Sequence, residues 1–306
     1  MLDRRIKLRH LEAFAAIARA GTLKSACAAL NLSQPALSKT LKDLEDILGA
    51  RLMHRDRGGT QLTPEGEVFL EFSAQSLAAL RRGVEGVGAI RAGNAEVLKV
   101  GSLPSVAARL MPPAVALFRR LSPDTRLTLR DGAHEALTND LRSGALDMVI
   151  GRMGDPDMMQ GLSFTQLYQE HVVCVADPAH PLQAHAPDPS ELGKWPVLYP
   201  PEGAAIRPLL DRWRLAQGLG PFPTQIACVS GAFGRSFVPG SDALWFISEG
   251  VVAQDIAQGR LAALALDLGL TSGPVGLMTR PDDAPSRSQH LFARALAQAA
   301  ETLPIS

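Results

Sequence analysis

Three cysteines in 306 residues are too few, and odd in number, for a disulfide framework. Cys174 and Cys228 fall in the apolar runs VVCVA and IACVS, and Cys27 on the inner side of a short helix, so each reads as a small buried hydrophobe. His171 and Cys174 share an HxxC spacing, but no second such pair follows and no metal is assigned. No apolar run reaches the ~18 residues that would span a bilayer, and the opening Met-Leu-Asp-Arg-Arg lacks the apolar core of a signal peptide. The chain is therefore expected in the cytoplasm, with no membrane partner. GxSxG, HExxH and the Walker loop are all missing, so no catalytic residue and no cofactor is assigned, and an enzyme is not expected.

Net charge is lacking as well, since 31 Lys and Arg balance 31 Asp and Glu. The balance is uneven along the chain. Residues 1–58 carry eleven Lys/Arg against six Asp/Glu, whereas residue 94 onward carries seventeen against twenty-one. A basic N-terminal end suits a polyanion. Within it, Leu23, Ala26, Cys27 and Leu30 repeat at helical spacing, Asn31-Leu32-Ser33 interrupts, and a second helix follows. Ser33 is its expected N-cap, Pro35 sits in its first turn, and Gly49 stops it. Leu37, Leu41, Leu44, Ile47 and Leu48 face inward, while Gln34, Pro35, Ser38, Lys39 and Lys42 face out with no carboxylate before Asp43. Alone, such a pair is equally an ordinary αα-hairpin with a solvated face. The flanks decide. An amphipathic helix precedes it (Leu8, Leu11, Phe14, Ile17, Ala18), and Arg51 to Thr63 reads as a wing with a basic approach and Gly58-Gly59 at its tip. Helix, helix–turn–helix and wing make a DNA-binding unit, with Ser33, Gln34, Pro35, Ser38 and Lys39 toward the groove and Lys42, Arg55 and Thr63 toward phosphates.

Three hundred residues suit two or three domains. The winged unit is placed at residues 1–63. A long helix follows over 64–92, in which Leu70, Ser73, Leu77, Leu80, Val84 and Val87 alternate spacings of three and four. That seam predicts pairing with a second copy through Leu70, Leu77, Leu80 and Val84. Ala92-Gly93-Asn94-Ala95 reads as a linker into residues 93–306, where strands alternate with helices, as in a mainly parallel α/β sheet. A single helix is expected over 104–121 and a strand over 171–176; a second α/β unit begins near 177. Ligands in such sheets lie beyond the strands' carboxyl ends. The candidates there are Ser102 and Ser105 at a helix start, where N–H groups favour an anion, and Arg152, placed to grip a carboxylate. Glu202, Ser230 and Phe233 come from the second unit. Arg207 and Arg235 are better read as salt-bridge residues.

The segments LxxFxxIA (Leu11 to Ala18), SACAAL, LSQPALSKTLKDLEDILGARLMHR and LTPEG (Leu62 to Gly66) resemble LysR-type transcriptional regulators. The resemblance implies an α/β effector domain of two lobes joined by two crossings, built like a periplasmic solute-binding protein. Lobe I would hold about 95–176 and 271–306, and lobe II about 177–270. It also implies double-stranded DNA, a small-molecule inducer and RNA polymerase as partners, and assembly as a homodimer or homotetramer. The stretches VGSLPSVAARLMPPAV, LRSGALDMVIGRM, VSGAFGRSF, SDALWFISEGVVAQDIAQGRL and GPVGLMTR are similar to regulators of protocatechuate-degradation operons, and to a sugar-uptake branch. The first group implies control of a catabolic operon by a small aromatic-catabolite carboxylate, the second a neutral sugar. A solute-binding protein would share the effector half but not the basic helix–turn–helix.

Overall fold

The computed structural model describes residues 3–56, 59–91, 95–281 and 283–303, with backbone alone at 55, 56, 82, 85 and 89–91. The chain divides into two compact units, residues 1–94 with 142–145, and residues 95–141 with 146–306.

The first unit runs α1 (Leu8–Ala20), α2 (Leu23–Leu30), α3 (Gln34–Leu48), β1 (Met53–Asp56), β2 (Gly59–Leu62) and α4 (Pro64–Arg91). Its turns are short because each helix stops on a left-handed residue: Gly21 at φ 67°, Asn31 at 53° and Gly49 at 66°. Thr22 caps α2 by accepting from the Ser25 amide at 3.1 Å. Phe14, Ile17, Ala26, Leu37, Leu41 and Leu44 meet Leu52 and Met53 in one core. The wing is fixed at both ends. Glu45 Oε1, on α3, accepts from the amides of Leu52 (2.8 Å) and Met53 (3.3 Å), and the Thr60 amide donates to Gly21 O at 3.0 Å. Arg57 and Gly58 of the expected tip lie outside the described residues, as do linker residues 92–94.

The second unit carries two five-stranded sheets. Lobe I is built from β3 (Val97–Ser102), α5 (Pro104–Arg109), α6 (Met111–Leu121), β4 (Arg126–Asp131), α7 (His134–Arg142), β5 (Met148–Arg152), α8 (Pro156–Met159) and β6 (Ser163–Glu170). Lobe II follows with β7 (Val172–Ala176), β8 (Val197–Tyr199), α9 (Arg207–Ala216), β9 (Gln225–Ala227), α10 (Gly231–Phe237), β10 (Leu244–Ser248), α11 (Glu249–Ala257) and β11 (Ala262–Ala263). The chain then returns to lobe I for β12 (Gly273–Thr279) and α12 (Arg287–Glu301). The sheet orders are β4-β3-β5-β12-β6 and β11-β7-β10-β8-β9.

Three sequence expectations are corrected here. The strand at 172–176 belongs to lobe II, not lobe I, because VVCVA is buried along its whole length and pairs with both β10 and β11. An all-apolar run needs neighbours on both sides but does not say which sheet supplies them. The sheets are mixed rather than mainly parallel, since β12 runs antiparallel to β5 and β6, and β7 to β10. The helix expected over 104–121 is two helices that part at Leu110. Pro112 and Pro113 lack the N–H groups that would continue α5, and fall in the first turn of α6, where those groups have no intrahelical partner anyway.

One glycine is held by sterics in the first unit. A Cβ at Gly66 would lie 2.0 Å from Leu52 O. Gly66→Ala is expected to push the first turn of α4 off the wing and destabilise that unit by about 1–3 kcal/mol. All three tryptophans (Trp195, Trp213 and Trp245) lie in lobe II. The variant should therefore move the early part of the far-ultraviolet melting curve while leaving the tryptophan-fluorescence transition in place. A shift of both together would show that the strain is not local.

Candidate nucleic-acid interface and effector chamber

The exposed side of α3 presents Gln34, Pro35, Lys39 and Lys42, with Ser38 half-buried beside them. No acidic residue occupies its first turn. Ser33 is at the N-cap with extended backbone, yet its hydroxyl makes no bond to its own helix. Free amides at a helix start, a hydroxyl and a pair of ammonium groups form a surface complementary to phosphate and base edges. A groove of about 820 Å³ continues from α3 past Gly49 and Ala50, lined by Ser38, Lys39, Lys42 and Arg51 and closed by Glu45 and Asp46. The Arg55 side chain lies outside the described residues. Thr63 does not face phosphate. It is buried, its hydroxyl donates to Arg51 O at 2.7 Å, and it accepts from the Gly66 amide at 3.0 Å, so it caps α4. Burial first, then Arg9, lowers the pKa of His10 on α1.

The four seam residues of α4 do not share one environment. Leu70 turns with Phe69 onto the core of its own unit, where Phe69 meets Phe14 at 5.6 Å between ring centroids. Leu77 is half-buried. Leu80 and Val84 are exposed, and so are Val68, Phe72 and Val87.

In the second unit, a chamber of about 180 Å³ opens where four helices begin. Leu103, Pro104 and Ser105 bring the start of α5, Gly132, Ala133 and His134 that of α7, Gly203 to Ile206 that of α9, and Ser248 with Val251 that of α11. Val229 and Ile247 complete the wall, and no acidic side chain is in it. The first amides of a helix have no partner within it and carry partial positive charge; at α11 those of Glu249 and Gly250 are taken by His171 O and Glu170 Oε1. An outer cleft of about 580 Å³ shares His134 and Gly203 to Ala205 with the chamber, and adds Arg152, Glu202 and Arg212.

Of the sequence candidates, Ser105 lines the chamber and Glu202 the outer cleft. Ser102 is buried at the end of β3, outside the chamber wall. Ser230 is exposed and caps α10 through the Phe233 amide (3.2 Å). Phe233 is also exposed, stacked on Phe237 at 5.1 Å. Arg152 is not placed to grip a ligand with two nitrogens. Its Nη1 donates to Thr271 O at 3.2 Å and its Nη2 to Glu170 O at 2.9 Å, and it is 3% exposed. Arg207 and Arg235 are held in ion pairs, with Asp211 (2.7 Å) and Asp255 (2.8 Å). Sequence reasoning missed His134, Ala204, Ala205, Ile206 and Ser248 as chamber residues, since they sit at helix starts without a motif. Ser248, at the N-cap of α11, makes no side-chain cap bond. It also missed Glu170, buried at the end of β6, where desolvation raises its pKa against the opposing pull of Arg152. The one available signal was a lone acid two residues before the apolar strand VVCVA.

Two family models cover nearly the whole chain: the LysR substrate binding domain over residues 91–301, and the bacterial regulatory helix-turn-helix protein, lysR family, over residues 8–67. The chain is 40% identical to the HTH-type transcriptional regulator PcaQ of Agrobacterium fabrum, across 99% of this chain and 98% of that one. It is 36% identical to the uncharacterized HTH-type transcriptional regulator YdcI of Escherichia coli, across 97% and 96%. Among solved structures, full-length LysG of Corynebacterium glutamicum with bound effector Arg matches with a TM-score of 0.65 at 19% identity, over 97% of this chain and 98% of that one. Full-length CbnR complexed with its target DNA matches at 0.59 and 19%, over 96% and 100%. At such identity these two structures speak for the fold.

The α3 surface leads to a contrast between two kinds of contact. Gln34→Ala is expected to cost roughly 1–3 kcal/mol of discrimination at one base pair. Lys42→Ala should weaken all duplexes alike and lower the salt slope by about one. Thr63→Val should lower stability by about 1 kcal/mol and leave the salt slope unchanged. Isotherms on matched and mismatched duplexes at several salt concentrations separate the three; a uniform loss for Gln34→Ala would remove it from base reading.

Proposed function

The chain belongs to the LysR family of DNA-binding transcriptional regulators, and from that premise we propose that it controls a catabolic operon in response to a small carboxylate. The resemblance of stretches such as VSGAFGRSF and GPVGLMTR to regulators of protocatechuate-degradation operons supports the catabolic setting. The observation that carries the ligand class is the chamber itself. Four helix starts converge on one small, mainly apolar space with no acidic residue in its wall. An anion gains there from amides and helix dipoles, while an apolar body suits Leu103, Ile206, Val229 and Ile247. A neutral sugar would need several side-chain partners, and the wall offers only Ser105, His134 and Ser248. Pairing of two chains through the exposed apolar face of α4 belongs to the same proposal, with Leu80, Val84 and Val87 in place of Leu70.

The test is a melting screen of the full chain with aromatic acids, muconates and sugars at millimolar concentration. A ligand at a hundredfold excess over its Kd stabilises by about 2.7 kcal/mol. An acid is expected to raise the tryptophan-reported transition, and Ser105→Ala to reduce that rise. If only a sugar raises it, the carboxylate reading is wrong.

A further inference from the structure

The chain crosses between the two lobes of the second unit where β6 passes into β7, at 170–172, and where it returns to β12, at 271–273. Both connections meet one cluster of buried polar groups. Arg152, at the end of β5, donates to the carbonyl of Glu170 in the first connection and to that of Thr271 in the second. The Thr271 hydroxyl links the two by accepting from the Val172 amide at 2.9 Å.

Glu170 is where the lobes compete. Its Oε1 accepts from the Gly250 amide of lobe II at 3.2 Å, and the Ser105 side chain of lobe I also favours the charged carboxylate. Its Oε2 has no hydrogen-bond partner and stands 3.7 Å from Arg152 Nη2. Two neighbouring donors are likewise unmatched: Arg152 Nε and the Tyr168 hydroxyl. Tyr168 and Glu170 are alternate residues of β6 and so lie on one face of the strand, and Arg152 stands beside Glu170. A buried polar atom left unmatched is costly, because it has given up water without gaining a partner. An acceptor and two donors left open side by side are the complement of a second arrangement. What holds the carboxylate back from it is the bond from the Gly250 amide, aided by Ser105. Nearby, Arg109 of α5 pairs with Glu249 of α11 at 2.8 Å, so the same two helices are also tied at the rim.

We propose that Glu170 is a two-position latch between the lobes. In one position it binds the Gly250 amide and the Ser105 hydroxyl and ties α11 to α5. In the other it binds the Tyr168 hydroxyl and Arg152 Nε, and α11 is released. Ser105 also lines the chamber. A ligand that engages its hydroxyl takes a partner from Glu170 and favours release. That last link rests on the chamber reading above; the latch itself does not, and its test uses no ligand.

Gly250 lies in the first turn of α11, where an amide has no intrahelical carbonyl, and its partner is Glu170. Its hydrogen exchange therefore reports the latch, and is measured by mass spectrometry on the full chain. Glu170→Ala is expected to accelerate Gly250 exchange about tenfold or more, and Tyr168→Phe, which removes the released-state donor, to slow it about fivefold. Glu170→Gln keeps the shape and one acceptor, and should accelerate exchange less; it replaces the alanine variant if that one does not fold. Unchanged protection of the β3 and β5 amides confirms an intact fold. A purely structural tyrosine hydroxyl would give faster exchange when removed, through lost stability. Unchanged or faster Gly250 exchange in Tyr168→Phe overturns the latch, as does unchanged exchange in both Glu170 variants.

Discussion

The Arg152 guanidinium is a cation removed from water, and a buried charge is tolerated only where acceptors replace its hydration. Those acceptors are the carbonyls of Glu170 and Thr271, one in each connection between the lobes, so satisfying the charge fixes both connections at once. The neighbouring glycines follow from this. A Cβ at Gly273 would lie 2.6 Å from Arg152 Nη1, and one at Gly250 would lie 2.5 Å from Glu170 Oε1. The cluster thus dictates what the chain can carry at the return connection and at the start of α11. Desolvation lowers the pKa of Arg152 and raises that of Glu170, and in each case the charge of the other opposes the shift.

The first unit relies on a parallel device built from a carboxylate. Glu45, three turns into α3, accepts from two consecutive amides at the entry to the wing. A helix that presents amide, hydroxyl and ammonium groups outward is useful only if its angle to the wing is fixed, because base contacts tolerate little displacement. Glu45 sets that angle from inside, and the Thr60–Gly21 bond sets it from the other end. The acid that the groove would repel is therefore turned toward backbone donors.

Elements whose cause is local were legible in the sequence. Thr22, Asn31, Pro35 and Gly49 mark the helix ends of the first unit by capping, φ and ring chemistry, and the boundaries of α2, α3 and α4 follow. Elements whose cause is distant were not. β6 reads SFTQLYQE, a half-exposed edge strand without clean alternation, and was missed. Arg152 at the end of a buried strand says nothing of Thr271, 119 residues on. Thr63 belongs to a motif found beside DNA, and its burial is decided by the carbonyl of Arg51 and the amide of Gly66. The chamber was only partly legible. Strand ends pointed to Ser105, but Ile206 and Ser248 reach it through the packing of lobe II on lobe I.

The exposed face of α4 bears on how a modest surface charge reads DNA. Among the described residues, Lys39, Lys42 and Arg51 are the cations lining the groove of one head, and a head with few phosphate contacts would bind weakly at physiological salt. Val68, Phe72, Leu80, Val84 and Val87 stay open to solvent, at 50–67% exposure. A run of large apolar side chains along one helix is costly to leave in water and suits a second helix of the same kind. Pairing there would make the second head's binding intramolecular, raising its effective concentration without a new contact to DNA. The net charge of zero is compatible with that arrangement, since specific affinity then depends on two heads held together and not on a strongly basic chain.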